Sequence, residues 1–374
     1  MTKDPKNPAA TDNQDTEAKK GLPEIIGGGA NSFQAKMMRQ MAEAAPVKNV
    51  HVDLSVLDII DVPSVEGEVR VPALPEITED EVMGRFESIY FDTCVKRTPR
   101  KNGEAVKLGD EIVIDLISYH GGKIVPFNSH AGLRVPLEAD TIFAGVGAQL
   151  EGTLIGETKV IPAQMPTDDG EPAKVAFVVQ ILGASELEYP QADAPDTLKM
   201  FGMGDTLDEI YGNIAEGMAE ERANLRMSIG MSMALDALAG QVTAEIPEEL
   251  VEAEIRSQWT DTEGRFLMDK GLSRQDMDDS LEGWLNDEET RQTALQRLKI
   301  GMVLIAHASK HGEDISVEEV DAFFTDFAAE NGIDLKEWRK EVAKDEEQQA
   351  ELLDQYLQLR TITEVVATVN VQYD

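Results

Sequence analysis

The sequence has little cysteine and little positive charge. Its 374 residues contain one cysteine, Cys94, and 34 Lys and Arg against 71 Asp and Glu, which gives a net charge of −37. A single cysteine excludes a disulfide within one chain and a zinc site built from several cysteines. A surface this negative repels nucleic-acid phosphates and anionic lipid headgroups, so we expect neither a nucleic acid nor a membrane as a partner.

Long apolar runs are absent as well. No stretch approaches the roughly 20 apolar residues that a membrane-spanning helix needs. The segment from Met1 to Lys20 is polar and lacks the apolar core of a signal peptide, so we expect a cytoplasmic protein. Apolar residues still make up 42% of the chain, which is enough for folded cores, and the length predicts two or three domains.

The first 75 residues divide into two parts. Residues 1–30 are rich in Lys, Asp, Asn, Pro and Gly and are predicted to form a disordered acidic and polar tail. Within residues 31–75, an apolar stripe from Phe33 to Met41 predicts an amphipathic helix, and the alternation from Val50 to Val56 predicts a strand. Core packing explains the helix stripe, and docking on a partner or in the protein's own groove is the alternative.

The middle of the chain changes from helix to strand. Thr78 and Glu81 have the spacing of a capping box, which predicts a linker helix within residues 76–106. Residues 107–186 are predicted to form a small antiparallel β domain with one short helix near Gly145–Gly152. The evidence for this domain is the turn at Gly121-Gly122 and two alternating runs: Ile112, Ile114 and Leu116; Val175, Phe177, Val179 and Ile181.

Residues 187–374 are predicted to form a large all-α domain. Capping signals recur there at Ser273, Ser316 and Asp334, and Pro247 suits the first turn of a helix. The alternation from Val365 to Val371 predicts a terminal strand. The fold class is therefore α+β with several domains.

Few residues suggest catalysis or metal binding. His307 and His311 have a spacing that can bind a metal, but Gly312 places His311 at a helix C-terminus, and we predict no metal site and no cofactor. Lys96, Arg97 and Arg100 near Cys94 would lower the pKa of its thiol. Without a partner base we interpret this thiol as incidental, and no catalytic residue is identified.

The chain contains 15 methionines, several of which crowd the start of the helical region. Methionine packs adaptably and recurs on surfaces that bind varied apolar partners. Core filling explains any one of them, whereas the group predicts a client-binding surface. Its members are Met200, Met203, Met218, Met227, Met231 and Met233.

Read in order, these segments resemble the trigger factor family of bacterial ribosome-associated chaperones. The resemblance runs over about residues 48–370 and rests on the order and spacing of short segments. These are 75–82, like the family's linker helix; 109–115, 150–157 and 176–181, like its FKBP-type prolyl isomerase domain; and 246–255, 298–304 and 315–320 in the helical region.

The resemblance implies a small FKBP-like domain beside an all-α chaperone domain with extended arms. It also implies an ATP-independent chaperone whose partners are unfolded or nascent protein clients. The family's ribosome-docking loop, of the Gly-Phe-Arg-x-Gly-Lys type, is not found in residues 1–47, so we do not expect ordinary ribosome docking. Members of the family can form homodimers, and no heptad seam in this sequence decides the oligomeric state.

The resemblance also implies a proline-binding pocket and its residues. Val146 replaces the aromatic floor residue, Leu116 replaces a Phe or Tyr, and Asn128 takes the acidic-or-polar position after Phe127. The full set is Leu116, Phe127, Asn128, Ile142, Phe143, Val146 and Phe177. Because an aromatic floor supplies much buried area, we predict weak or absent isomerase activity.

Three functions remain open from the sequence. One is a general chaperone, the second is a chaperone dedicated to one client or complex, and the third is an active peptidyl-prolyl cis-trans isomerase acting in protein folding. The loss of the docking loop favours a dedicated chaperone over a nascent-chain role, and a basic or strongly apolar client would suit the charge of −37.

Overall fold

The computed structural model describes residues 60–142, 144–165, 173–311, 317–330, 334–336 and 346–374. Of these, residues 317–330, 334–336 and 346–353 belong to one compact unit and the rest to another. Four sequence predictions lie outside the described residues. They are the disordered tail, the Phe33–Met41 helix, the Val50–Val56 strand and the helix cap at Ser316.

The larger unit combines strands and helices. Its strands are β1 (Glu68–Val71), β2 (Lys96–Pro99), β3 (Asp110–His120), β4 (Lys123–Ile124), β5 (His130–Pro136), β6 (Thr158–Met165), β7 (Ala173–Glu188) and β8 (Asn370–Tyr373). Its helices are α1 (Glu79–Thr93), α2 (Val146–Leu150), α3 (Pro195–Phe201), α4 (Leu207–Gly240), α5 (Glu248–Trp259), α6 (Arg265–Asp269), α7 (Arg274–Asn286) and α8 (Glu288–His311). A π-helical turn, Thr260–Gly264, joins α5 to α6. The last helix, α10 (Glu346–Ala367), begins in the smaller unit and ends in the larger one.

The β domain is a six-stranded antiparallel sheet with the order β2-β7-β3-β4, in which β5 also pairs with β3 and β6 with β7. The predicted alternation in β3 and β7 is confirmed, because residues of one parity fill the core. Gly121 and Gly122, with φ of 60° and 85°, form the predicted turn between β3 and β4. Val146 and Leu150 of the short helix α2 pack in the same core.

Helix α1 begins at the predicted capping box. The Thr78 hydroxyl accepts from the Glu81 amide at 3.2 Å, and the Glu81 carboxylate accepts from the Thr78 amide at 2.8 Å. Phe86 of α1 stacks on Phe201 of α3 with ring centroids 5.1 Å apart. The core around this pair also contains Leu198, Ile210 and Ile214, so it joins α1 and α3 to the start of α4.

Helices α5 to α8 follow from local signals in the sequence. The Ser273 and Asp276 capping box of α7 is confirmed. Pro247 is the N-cap of α5, one residue before the predicted position. Val251 and Ile255 of α5 pack on Leu298 of α8, which buries the apolar faces of both helices.

The terminal segment corrects one prediction. Helix α10 continues to Ala367, so the alternation that begins at Val365 is helical for its first turn. Strand β8 then pairs in parallel with β1, with Val371 opposite Val69. Val365 is buried against α4 and α8, which explains why tertiary packing overrides its β propensity.

The smaller unit contains α9 (Val317–Glu330) and the start of α10. Ala328 of α9 is buried, and the Thr325 hydroxyl donates to the Asp321 carbonyl within the helix. Among the described residues, no helix is both long enough and apolar enough to cross a membrane.

Candidate functional site

Four of the predicted pocket residues lie in or against the core of the β domain. Leu116, Val146 and Phe177 are buried members of one cluster, and Ile142 packs against it. Ile142 has a φ of 73°, which is unusual for a β-branched residue. These side chains fill the space between the sheet and α2. Phe143 lies outside the described residues.

Phe127 and Asn128 lie elsewhere. Phe127 has a φ of 62° and is 46% exposed, and its ring lies 4.5 Å from the ring of Trp284 on α7. Asn128 contributes its carbonyl, which accepts from the Ser118 hydroxyl at 3.2 Å. Neither residue belongs to the core cluster that contains Phe177. Of the six predicted pocket residues that the structure describes, four lie in or against this core cluster, and Phe127 and Asn128 lie outside it.

The amide of Phe127 donates to a buried carboxylate that was not predicted from the sequence. Glu263, in the π-helical turn, is 5% exposed. One of its oxygens accepts from the Ser280 hydroxyl at 2.9 Å, the Trp284 indole at 2.8 Å and the Phe127 amide at 3.3 Å. In so acidic a chain no sequence signal distinguishes Glu263 from the other carboxylates. Two of the three tryptophans take part in this network: Trp284 donates to Glu263, and Trp259 donates to Ser280.

The predicted methionines divide into two groups. Met200 and Met227 are 50% and 47% exposed. The other four are half-buried against apolar cores: Met203 and Met218 beside Phe86, and Met231 and Met233 in the cluster around Leu238. The structure does not bring the six side chains together on one surface.

An apolar cleft of about 580 Å³ lies between α1 and α4. Its lining is mainly apolar, and Met83 on its wall is 48% exposed. The lining residues are Ile77, Thr78, Glu79, Val82, Met83, Tyr211, Gly212 and Ala215. Two ion pairs connect the same two helices beside the cleft. Arg222 pairs with Glu81 at 2.8 Å, and Arg85 pairs with Glu221.

Glu81 links this cleft to the cap of α1. Hydrogen bonds from the Thr78 backbone and from Arg222 lower the pKa of Glu81 below its usual range. The carboxylate therefore stays charged and keeps both the cap and the contact with α4. Apart from Thr78 and Glu79, the lining residues contribute apolar or phenol side chains, so the site is suited to binding apolar chains.

Cys94 corrects the prediction of a lowered pKa. Its thiol is 2% exposed and contacts the Thr197 carbonyl at 3.9 Å. Burial raises the pKa of the Cys94 thiol, because desolvation disfavours the thiolate. The nearby cations are engaged elsewhere: Arg97 pairs with Glu111 at 3.0 Å, and Arg100 with Asp110 at 2.6 Å.

His307 contacts a carboxylate of the last helix. Its Nε2 lies 3.2 Å from Glu364 of α10, and Arg360 donates to the other oxygen of that carboxylate at 2.7 Å. Arg360 and His307 lower the pKa of Glu364. His311 is the last residue of α8, as predicted. In the described part of the chain, no group of three or more His, Cys, Asp or Glu side chains could hold a metal ion.

Comparison with known proteins identifies relatives for most of the chain. Residues 206–367 match a family model described as the bacterial trigger factor protein C-terminus. Trigger factor of Halothermothrix orenii is 26% identical over 293 residues, which cover 76% of this chain and 63% of that protein. Trigger factor of Novosphingobium aromaticivorans is 25% identical over 286 residues, covering 72% of this chain and 52% of its own length.

Solved structures also align with this chain. A chain from a study of substrate recognition by the trigger factor chaperone aligns with 83% of this chain and 72% of its own, at 17% identity and a TM-score of 0.29. That score is low, so the assignment rests on the sequence matches. The chain spans between half and two thirds of the length of the relatives it matches. Residues 206–367 therefore match the trigger factor C-terminus, and the chain is similar to trigger factors over about three quarters of its length.

Proposed function

We propose that this protein is an ATP-independent molecular chaperone that binds unfolded segments of client proteins. The observation that carries this proposal is the open apolar cleft between α1 and α4, whose wall includes the half-exposed Met83. An open cleft lined mainly by apolar side chains is the usual form of a site that binds apolar groups. The family of the C-terminal region supports the same function.

Binding in this cleft is passive and reversible. The lining offers flexible and aromatic side chains that adapt to different apolar segments. The net charge of −37 keeps the loaded complex soluble and limits self-association. The sequence has no Walker-type glycine–lysine loop, so release follows from weak affinity and from folding of the client.

The experiment that tests the cleft is Met83→Gln, with Met268→Gln as the matched control. Met268, on α6, is 51% exposed but does not line the cleft. Covering about 50 Å² of the Met83 side chain is worth roughly 1 kcal/mol, so we expect Met83→Gln to weaken client affinity about fivefold. Affinity is measured by fluorescence anisotropy with carboxymethylated α-lactalbumin, which stays unfolded.

Met268→Gln should leave the affinity unchanged. Equal affinities of the two variants and the parent protein would remove the cleft from the proposal. If no form of the folded protein binds the unfolded probe, the chaperone function itself is wrong.

We also propose that the β domain is an FKBP-like module with weak or absent prolyl isomerase activity. Two points support this: the resemblance assigns the floor position to Val146, and the ring of Phe127 contacts Trp284, outside the cluster that contains Phe177. Turnover is measured with a proline-containing tetrapeptide in a protease-coupled assay. Turnover at the level of an FKBP enzyme would favour the alternative function, an active isomerase.

We further propose that the protein acts away from the ribosome, on one client or on one complex. The absence of a Gly-Phe-Arg-x-Gly-Lys motif from residues 1–47 supports this. Affinity purification from native cells with quantitative mass spectrometry distinguishes the alternatives. One partner in near-equal amount supports a dedicated chaperone, many partners indicate a general one, and ribosomal proteins as the main partners contradict the proposal.

A further inference from the structure

The β domain covers an apolar surface of the helical region. Ile117 and Ile124 on the outer face of the sheet are 6% and 3% exposed because they pack against Trp259 and Leu267. This is the face opposite to the core around Phe177, so the sheet is buried on both sides. On the helical side the surface also includes Phe266, Met277, Leu281 and Trp284.

The hydrogen bonds of Glu263, which we call the Glu263 network, connect the two sides of this interface. Glu263 accepts from two groups of the helical region, on Ser280 and Trp284, and from the amide of Phe127 in the β domain. Its other oxygen has no hydrogen-bond partner among the described residues, although it is buried. A buried carboxylate oxygen without a partner costs free energy, so this contact is weaker than a fully satisfied one.

The loop that meets Glu263 is also strained. Phe127 has a φ of 62°, in the left-handed region that non-glycine residues adopt at a cost of about 1–3 kcal/mol. Contact of its ring with Trp284 compensates part of that cost. Next to it, Pro126 lies so close to Gly283 on α7 that only a glycine fits at that position.

Charged pairs surround the apolar contact. Lys270, at the end of α6, pairs with Asp115 of β3 and donates to Gln180 of β7 at 2.9 Å. Lys123 of β4 lies 3.4 Å from Asp279 of α7. Such polar pairs are a feature that interfaces between domains share with transient protein–protein interfaces.

The two chain connections of the β domain lie at the paired ends of β2 and β7. The chain enters it through β2 and leaves it through β7, and these two strands pair where Lys96 meets Glu188. Val178, which belongs to the covered interface, lies nine residues before Leu187. At about 3.3 Å per residue, the tether and the part of the interface at Val178 are therefore roughly 30 Å apart along β7.

We propose that the β domain is a lid, tethered at the paired ends of β2 and β7, that covers a second apolar binding surface around Trp259 and Trp284 and uncovers it for unfolded client segments. This inference rests on the proposed chaperone function. The β-sheet that now covers this surface indicates the class of client. It contributes apolar side chains from extended strands, and an unfolded apolar segment of a client offers the same groups. These side chains are Ile117, Tyr119, Ile124 and Val178.

Gly283→Ala tests the lid, with Gly217→Ala as the matched control. A Cβ atom on Gly283 would lie 2.0 Å from Pro126 Cγ, so it forces the domains apart without removing apolar surface. Gly217, in α4, has no described atom within 4 Å of its Cβ position. Both changes replace a helical glycine by alanine and gain the same helix propensity.

Two readouts report on opening: tryptophan emission and affinity for an unfolded client. In a Trp338→Phe background the remaining indoles are Trp259 and Trp284, both at the interface, and opening shifts their emission to longer wavelength. If the open form is about a tenth of the parent population, opening tightens affinity for carboxymethylated α-lactalbumin up to about tenfold. Gly217→Ala should change neither readout.

A reversible lock provides the opposite perturbation. Cysteines at Pro126 and Gly283 would have Cβ atoms close enough for a disulfide after a small separation of the domains. Oxidised Pro126→Cys/Gly283→Cys protein should bind the unfolded probe more weakly than the same protein after reduction. Circular dichroism confirms that each variant is folded.

The outcomes separate this inference from the proposed function. A red shift in Gly283→Ala without tighter binding overturns the lid, and so does equal binding by the oxidised and reduced double-cysteine protein. If Met83→Gln still weakens binding in either case, the chaperone function stands. If no folded variant binds the probe, the chaperone function fails and the lid with it.

Discussion

Among the described glycines of the β domain, Gly147 is the one at which an added methyl group would meet the nearest atom. A Cβ atom there would lie 1.7 Å from the Glu138 carbonyl oxygen and 3.1 Å from Thr141 Cβ. The opposing loop cannot easily move, because the Glu138 amide donates to the Thr141 hydroxyl at 2.7 Å and that hydroxyl donates to the Pro136 carbonyl. Gly147→Ala therefore displaces α2 from the core.

The magnitude follows from two opposing effects. Overpacking of this kind costs about 1–3 kcal/mol, while the better helix propensity of alanine returns at most about 1 kcal/mol. We expect a net loss of roughly 1–2 kcal/mol in the stability of the β domain. Because about 1.4 kcal/mol corresponds to a factor of ten, the most protected amides of β3 and β7 should exchange about tenfold faster.

Hydrogen exchange followed by mass spectrometry is the suitable assay, because it reports on the β domain separately from the helices. Gly84→Ala is the control: Gly84 lies in α1, with no described atom within 4 Å of its Cβ position, and should leave exchange in β3 unchanged. Unchanged exchange in Gly147→Ala would show that α2 is not fixed against the loop. An equal effect in both variants would refute the steric argument.

Two further predictions concern single side chains. Asp287 caps α8 by accepting from the Thr290 hydroxyl at 2.7 Å and amide at 2.8 Å, contacts that lower its pKa. Asp287→Ala should cost about 0.5–2 kcal/mol at pH 7, and thermal melts should show that this cost disappears as the pH falls below the usual aspartate pKa of about 3.9 and through the lowered pKa of the folded state. Cys94 should react with Ellman's reagent far more slowly in the native protein than in urea, and rapid native labelling would contradict its burial.

Local features of the fold could be predicted from the sequence. The alternation in β3 and β7 identifies the buried face because side chains in a strand alternate between its two faces. The capping boxes at Thr78 and Ser273 need only residues three positions apart. Such signals are contained in a few consecutive residues, and each is confirmed.

Pairings between distant residues could not be predicted in this way. Strand β1 pairs with β8, although Val69 lies near the start of the described chain and Val371 near its end. The cleft between α1 and α4 poses the same difficulty. Val82 and Tyr211 each have the spacing of ordinary core residues, and only the way the two helices meet leaves Met83 half-exposed.

Phe127 shows why a pocket inferred from a family resemblance can differ from the folded arrangement. The resemblance aligns residue types, but the direction of a side chain depends on the backbone, and the φ of 62° turns this ring toward α7. In this conformation the Phe127 amide donates to Glu263 and the Phe127 ring contacts Trp284. Both come from a part of the chain more than a hundred residues away, so the orientation of Phe127 is a property of the interface between the domains. A change confined to that interface, such as Gly283→Ala, should therefore alter the Phe127 loop without any change in the β domain's own sequence.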